Sequence, residues 1–201
     1  ALHWDWSKIN VNDISFPREF MWGSASSAHE IEGNCTNNQW YIFERKVDPD
    51  TGKTPIADGQ TSGMAADFWN LYSEDIDRMS SMGLNSFRFS IEWSKIEPQK
   101  GQFDNSVIQH YHKVLDDLLD HNIEPIATMF HFTEPIWFTN LGGWTKHENL
   151  DLFYSYCSRI YKEYNRKVKY WVTINSPNAY ALQGWDKGLW PPGQKDNKKV
   201  A

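Results

Sequence analysis

Four short runs of the chain carry the apolar pattern of strands. Residues 85–91 alternate apolar and polar side chains, residues 123–130 and 170–175 form two more such runs, and residues 20–25 form a shorter one. Helical spacing fills the gaps. Phe68, Leu71, Tyr72, Ile76 and Met79 keep the three-to-four rhythm of one apolar face. Val107, Ile108, Tyr111, Leu115, Leu118 and Leu119 keep it again, and so do Phe153, Tyr156, Cys157, Ile160 and Tyr164. Each of these helices is followed by a residue suited to a left-handed cap: Gly83, Asn122 and Asn165.

The order is a strand–helix unit repeated, with strands beginning about 40 residues apart. That order predicts a parallel α/β sheet. The links differ in length. Helix-to-strand links are short, whereas the strand-to-helix links at 26–66, 93–104 and 132–147 are long. Long loops on the C-terminal side of parallel strands are where such folds keep binding and catalytic residues. The pattern fits an open doubly wound sheet and a closed barrel equally.

Composition narrows the function. The chain has 201 residues, 26 acids against 20 bases and a formal charge of −6. An acidic chain without a long basic run is a poor nucleic-acid binder. No stretch approaches the length of a membrane span. The start, Ala1-Leu2-His3-Trp4-Asp5-Trp6, shows no signal-peptide pattern, which predicts a cytoplasmic setting. With 11 Trp, 9 Tyr and 11 Phe, a packed core is within reach. Two cysteines, Cys35 and Cys157, make neither a disulfide framework nor a zinc site and read as free thiols. No cofactor or metal is expected. Asn34-Cys35-Thr36 fits a glycosylation sequon, which chance explains better without a secretion signal.

Polar residues stand at successive strand ends in an aromatic setting: Glu30 after the first, Arg88 on the second, His131 ending the third and Asn175 ending the fourth. Singly, each has an ordinary reading: a surface ion pair, a satisfied histidine, a turn asparagine. Four together at the C-terminal ends point to a shared site.

The residues around them resemble family 1 of the glycoside hydrolases, the β-glucosidase and 6-phospho-β-glucosidase family. Residues 16–33, from Phe16-Pro17 through Trp22-Gly23 to Glu30-Ile31-Glu32-Gly33, are similar to its N-terminal signature, and Arg88-Phe89-Ser90-Ile91-Glu92-Trp93 to its second-strand motif. His131-Phe132 stands where the family usually has His-Trp, and Thr173-Ile174-Asn175-Ser176-Pro177 where it has Asn-Glu-Pro. The resemblance continues through Gly184-Trp185 and Pro191-Pro192-Gly193. It implies a (β/α)8 TIM-barrel type of fold, of which residues 1–201 hold the N-terminal half, the first four strand–helix units of a truncated barrel. Residues 1–15 are expected to be an N-terminal extension. The implied activity is retaining hydrolysis of β-glucosides, with Glu30, His131, Phe132 and Asn175 as substrate-binding positions.

Four departures bear on that chemistry. Retaining glycosidases use two carboxyl groups about 5 Å apart. The resemblance puts the acid/base at Ser176, whose hydroxyl is far too weak an acid for the task, and the nucleophile on a seventh strand beyond these four. Glu30 replaces a glutamine, which offers both donors and an acceptor where an ionised carboxylate only accepts. Phe132 replaces a tryptophan and loses an indole donor. Glu134-Pro135, Glu97-Pro98 and Glu92 imitate the catalytic Glu-Pro pair but sit after other strands and read as loop residues. The isolated chain is therefore expected to be inactive, either as a half of a β-glycosidase or as a non-catalytic carbohydrate-binding remnant. Arg88, which the resemblance places beside the nucleophile, is expected to face water or to pair with Glu30 or Glu92. Alternating positions such as Phe87, Phe89, Val172 and Ile174 are expected to leave one apolar set on the bare sheet face. Free strand edges then favour a homodimer.

Overall fold

A computed structural model describes residues 5–8 and 10–200 of the chain. Residues 1–4, on which most of the signal-peptide reading and part of the N-terminal extension fall, lie outside the described residues. In chain order the elements are β1 (Gly23–Ala25), α1 (Ala28–Ile31), α2 (Gln39–Glu44), α3 (Phe68–Ser81), β2 (Ser86–Ser90), α4 (Trp93–Ile96), α5 (Asn105–Asp120), β3 (Glu124–Phe130), α6 (Ile136–Asn140), α7 (Leu150–Tyr164), β4 (Tyr170–Ile174) and α8 (Pro177–Ala181). The four strands form one sheet in the order β1-β2-β3-β4. All three pairings are parallel.

The strand register sorts the side chains into two faces. Phe87, Phe89, Ala127 and Met129 pack with α3, α5 and α7 in one apolar core. Trp93 lies in that core, stacked on Tyr156 with ring centroids 4.9 Å apart. The opposite face, the inner face of the curved sheet, carries Ser86, Arg88 and Ser90 of β2 in register with Glu124, Ile126 and Thr128 of β3. Val172 and Ile174 of β4 continue it. Of the expected apolar sets, Val172 and Ile174 lie on this face beside Ile126 and Phe130, whereas Phe87 and Phe89 point to the helices, so β2 presents polar groups inward.

Local chemistry explains the boundaries. β1 is shorter than its apolar run and begins at Gly23, where a close approach needs glycine: a Cβ there would sit 2.6 Å from the Ser86 carbonyl oxygen. Gly83 and Asn122 take the left-handed cap conformation, at φ 76° and 57°. Asn165 does not. Its φ is −60°, and its side-chain amide instead donates to the Tyr161 and Lys162 carbonyls at 2.9 and 3.2 Å. The long links after β1, β2 and β3 contain the short helices α1, α2, α4 and α6, each of one turn or slightly more. Leu71 and Leu119, assigned to the buried faces of α3 and α5, are 38% and 39% exposed and lie on the flanks of those helices.

Candidate active site

Five of the six predicted site residues, Glu30, His131, Phe132, Asn175 and Ser176, lie beyond the C-terminal ends of the strands, and Arg88 is the middle residue of β2. Arg88 is half-buried on β2 and reaches across β3. Its Nε donates to Thr128 Oγ1 at 3.0 Å and its Nη2 to Asn175 Oδ1 at 2.5 Å. Asn175 is held in turn by its own N–H, which donates to the Phe130 carbonyl at 2.9 Å. The acceptors of Arg88 are thus two neutral oxygens, and neither Glu30 nor Glu92 pairs with it. The expected acid partner is wrong because Glu92 is turned into the core. There it is fully buried and accepts from Ser94 at 2.5 Å and Thr133 at 2.8 Å.

Glu30 has a local role that the sequence left unread. Ser27 N–H donates to its Oε2 at 3.1 Å, so the exposed carboxylate closes the first turn of α1. Its charge also reaches His131. Burial lowers the His131 imidazole below the ordinary value, the Arg88 cation lowers it further, and Glu30 partly opposes both. Buried His131 Nδ1 has no hydrogen-bond partner among the described residues. Glu30, Arg88 and His131 therefore share one electrostatic environment, which favours the neutral imidazole, a form that offers a donor and an acceptor.

Phe132 and Ser176 follow β3 and β4 and share an unusual backbone. Phe132 has φ 69° and Ser176 has φ 40°, left-handed conformations that non-glycine residues rarely adopt. At Phe132 the strain is held by two donors to its carbonyl, Gln39 Nε2 at 2.8 Å and Trp40 Nε1 at 2.9 Å. Its ring lies against Trp190, centroids 4.8 Å apart, and parallel to Tyr180 at 5.9 Å. Trp40 joins the same wall, 5.9 Å from Trp190. Ser176 is the exposed N-cap of α8, ahead of Pro177, and its hydroxyl makes no hydrogen bond among the described residues. Thr128, Gln39, Trp40 and Trp190 were missed by the sequence reading. Only the surplus of tryptophan hinted at the aromatic wall.

The three imitative acids are buried supports. Glu97 accepts from Trp93 Nε1 at 2.8 Å and from the Gly101 N–H at 2.7 Å, and burial raises its carboxyl. Glu134 is 4% exposed between β3 and α6 and accepts from Thr139 Oγ1 at 2.8 Å. Together these place a cationic arm, a neutral imidazole, an amide and a row of aromatic faces at one end of a parallel sheet, a set suited to ring hydroxyls.

Residues 12–201 match the model of glycosyl hydrolase family 1. The chain belongs to glycosyl hydrolase family 1. It is 35% identical over 198 residues to the aryl-phospho-β-D-glucosidase BglC of Bacillus subtilis, a match covering 95% of this chain and 40% of that protein. It is 34% identical to β-glucosidase 11 of Arabidopsis thaliana, covering 94% of this chain and 36% of that one. The fold is similar to that of the Thermotoga maritima β-glucosidase in complex with castanospermine, with a TM-score of 0.86 and 30% identity over 92% of this chain and 42% of that chain. A β-glycosidase from Pyrococcus horikoshii gives 0.80 and 35%, over 92% of this chain and 41% of that one. This family-1 chain thus spans about two fifths of the relatives it matches, and its four strands are the first four units of the family's barrel.

Proposed function

We propose that the chain forms the sugar-binding half of a β-glucoside site and does not hydrolyse glycosides alone. Ser176 carries this reading. It occupies the position where the family resemblance puts the acid/base, and a hydroxyl there has no acidity to protonate a departing glycosidic oxygen near neutral pH. The surrounding groups suit recognition. Asn175, oriented by Arg88, and His131 offer hydrogen bonds, Glu30 accepts them, and Phe132 offers a ring face. Binding of a β-glucoside, followed by tryptophan fluorescence, is expected to saturate and to weaken about tenfold in Asn175→Ala, the loss of one good polar contact. A Kd unaffected by that change, or no saturable binding, overturns the reading. The second reading, a carbohydrate-binding remnant with no catalytic partner, rests on the same serine. It separates from the first when the remaining strands of a family-1 barrel are added and hydrolysis still fails.

Two further properties belong to this proposal. β1 and β4 each have a single strand neighbour, so both edges leave backbone donors and acceptors free to pair with another chain, and a homodimer is the expected state. Light scattering on a sizing column that returns a compact monomer with a sharp melt overturns it. The setting is proposed as cytoplasmic. Cys35 and Cys157 are unpaired, and burial raises both thiols, Cys157 to about 12, which leaves them inert. Among the described residues no helix is long and apolar enough to cross a membrane.

A further inference from the structure

Gln39 is the first residue of α2 and only 5% exposed. Its side-chain amide nevertheless reaches the loop that carries His131 and Phe132. Nε2 donates to the Phe132 carbonyl at 2.8 Å, and Oε1 accepts from the Glu134 N–H at 2.7 Å. The amide thus does for this loop what a neighbouring strand's backbone does in a sheet. The main chain prepares that reach. Asn38 bridges Pro135 in antiparallel fashion, the Ile136 N–H donates to the Asn37 carbonyl at 3.1 Å, and the Gln39 N–H donates to the Glu134 carbonyl at 3.3 Å. At Gln39 the backbone turns into α2 and leaves the pairing, and its side chain carries the pairing on to Phe132. Nε2 also meets the Tyr180 hydroxyl at 3.3 Å, which ties in α8.

We propose that Gln39 is a positioning residue: its amide fixes the Phe132 ring and, through that ring, the affinity for a sugar. The second step rests on the assignment of the Phe132 ring to the sugar. Phe132 has φ 69°, a conformation that its own side chain disfavours and that its surroundings must enforce. An extended backbone at this residue would swing the ring out of its place, parallel to Tyr180 at 5.9 Å and roughly perpendicular to His131 at 5.0 Å. The task calls for a long amide. A carboxylate cannot donate to the Phe132 carbonyl, an aliphatic chain can meet neither partner, and asparagine is one methylene short of spanning both. Trp40 Nε1 holds the same carbonyl at 2.9 Å, so loss of the Gln39 amide loosens the loop without freeing it. A ring already fixed spares the ligand the cost of ordering it.

Binding of an aryl β-glucoside, read by tryptophan fluorescence, is compared in wild type, Gln39→Met, Phe132→Ala and the double variant. Gln39→Met is expected to weaken binding about fivefold, the weight of one net hydrogen bond, in the wild-type background and to have no further effect in Phe132→Ala. An unchanged Kd in Gln39→Met overturns the proposal. So does an equal loss in both backgrounds, since a merely structural defect would not depend on the ring. Gln39→Asn is expected to give the same pattern and keeps the test decisive if Gln39→Met does not fold. Absence of saturable binding to wild type is a failure of the sugar-site reading, not of the positioning, which fluorine NMR reads without a ligand. With para-fluorophenylalanine in place of Phe132, one sharp resonance is expected in the otherwise wild-type chain and a shifted or broadened one in Gln39→Met. The same sharp resonance in both proteins overturns the positioning role.

Discussion

Replacing Glu134 by Gln isolates the consequence of burying one carboxyl behind β3. Burial pushes this group from 4.5 up to about 7, against the pull of donors on Thr139, Trp144 and Tyr180. A carboxyl whose folded pKa lies above its unfolded value favours the fold while protonated. That stabilisation is complete below about pH 4.5 and is lost as the pH rises through about 7. At about 1.36 kcal/mol per unit, the rise from 4.5 to about 7 amounts to roughly 3 kcal/mol. Gln keeps an oxygen for the Thr139 hydroxyl and has no charge to bury. Urea titrations of both proteins at acidic, neutral and mildly alkaline pH measure the effect. Whatever fixed difference the amide introduces cancels when the gap is compared across pH. Wild type is expected to lose on the order of 3 kcal/mol relative to Glu134→Gln from acidic to alkaline conditions. A gap that stays constant, or one that moves in wild type's favour as pH rises, refutes the argument.

Two other substitutions test the strand-end geometry. Arg88→Met removes the bonds to Thr128 and Asn175 and strands the fully buried Thr128 hydroxyl, so a thermal melt is expected to show a loss of about 2–3 kcal/mol. Arg88→Lys recovers less than half of that loss, because an ammonium lacks the fork that spans both acceptors. At Ser176, φ 40° disfavours any branched side chain, and urea denaturation is expected to place Ser176→Val about 2 kcal/mol below Ser176→Gly. Equal stabilities would show that the turn relaxes freely.

Much of the architecture was legible because long elements repeat their pattern. α3, α5 and α7 run over 14, 16 and 15 residues, enough turns for a periodic face to stand out. The helices α1, α2, α4 and α6 have only four to six residues, too few for any period, so they were hidden inside the long links. Which face of β2 would look inward was not legible either. Alternation marks two sets of side chains without saying which one the helices cover. The site residues were legible as polar positions at strand ends, but their partners were not. Arg88 meets Asn175 across 87 positions of sequence, and the Glu134 N–H meets Gln39 across 95. Contacts over such separations exist only once the sheet has formed. Glu30 shows the opposite case: its bond to Ser27 is local, and the Ser-x-x-Glu spacing at residues 27–30 carried the signal of a capping box.

The most direct test of the central claim is hydrolysis itself. Purified 201-residue chain and its Ser176→Ala variant are incubated with an aryl β-glucoside, and release of the aryl alcohol is followed. Loss of a general acid alone typically lowers rates by roughly 10²–10⁴, and a retaining glycosidase deprived of its nucleophilic carboxylate has no covalent route. The two proteins are therefore expected to show the same background release, and Ser176→Glu is expected not to raise it. Turnover by the wild-type chain well above the Ser176→Ala control would contradict the account, since a complete catalytic apparatus would then have to lie within these four strand–helix units.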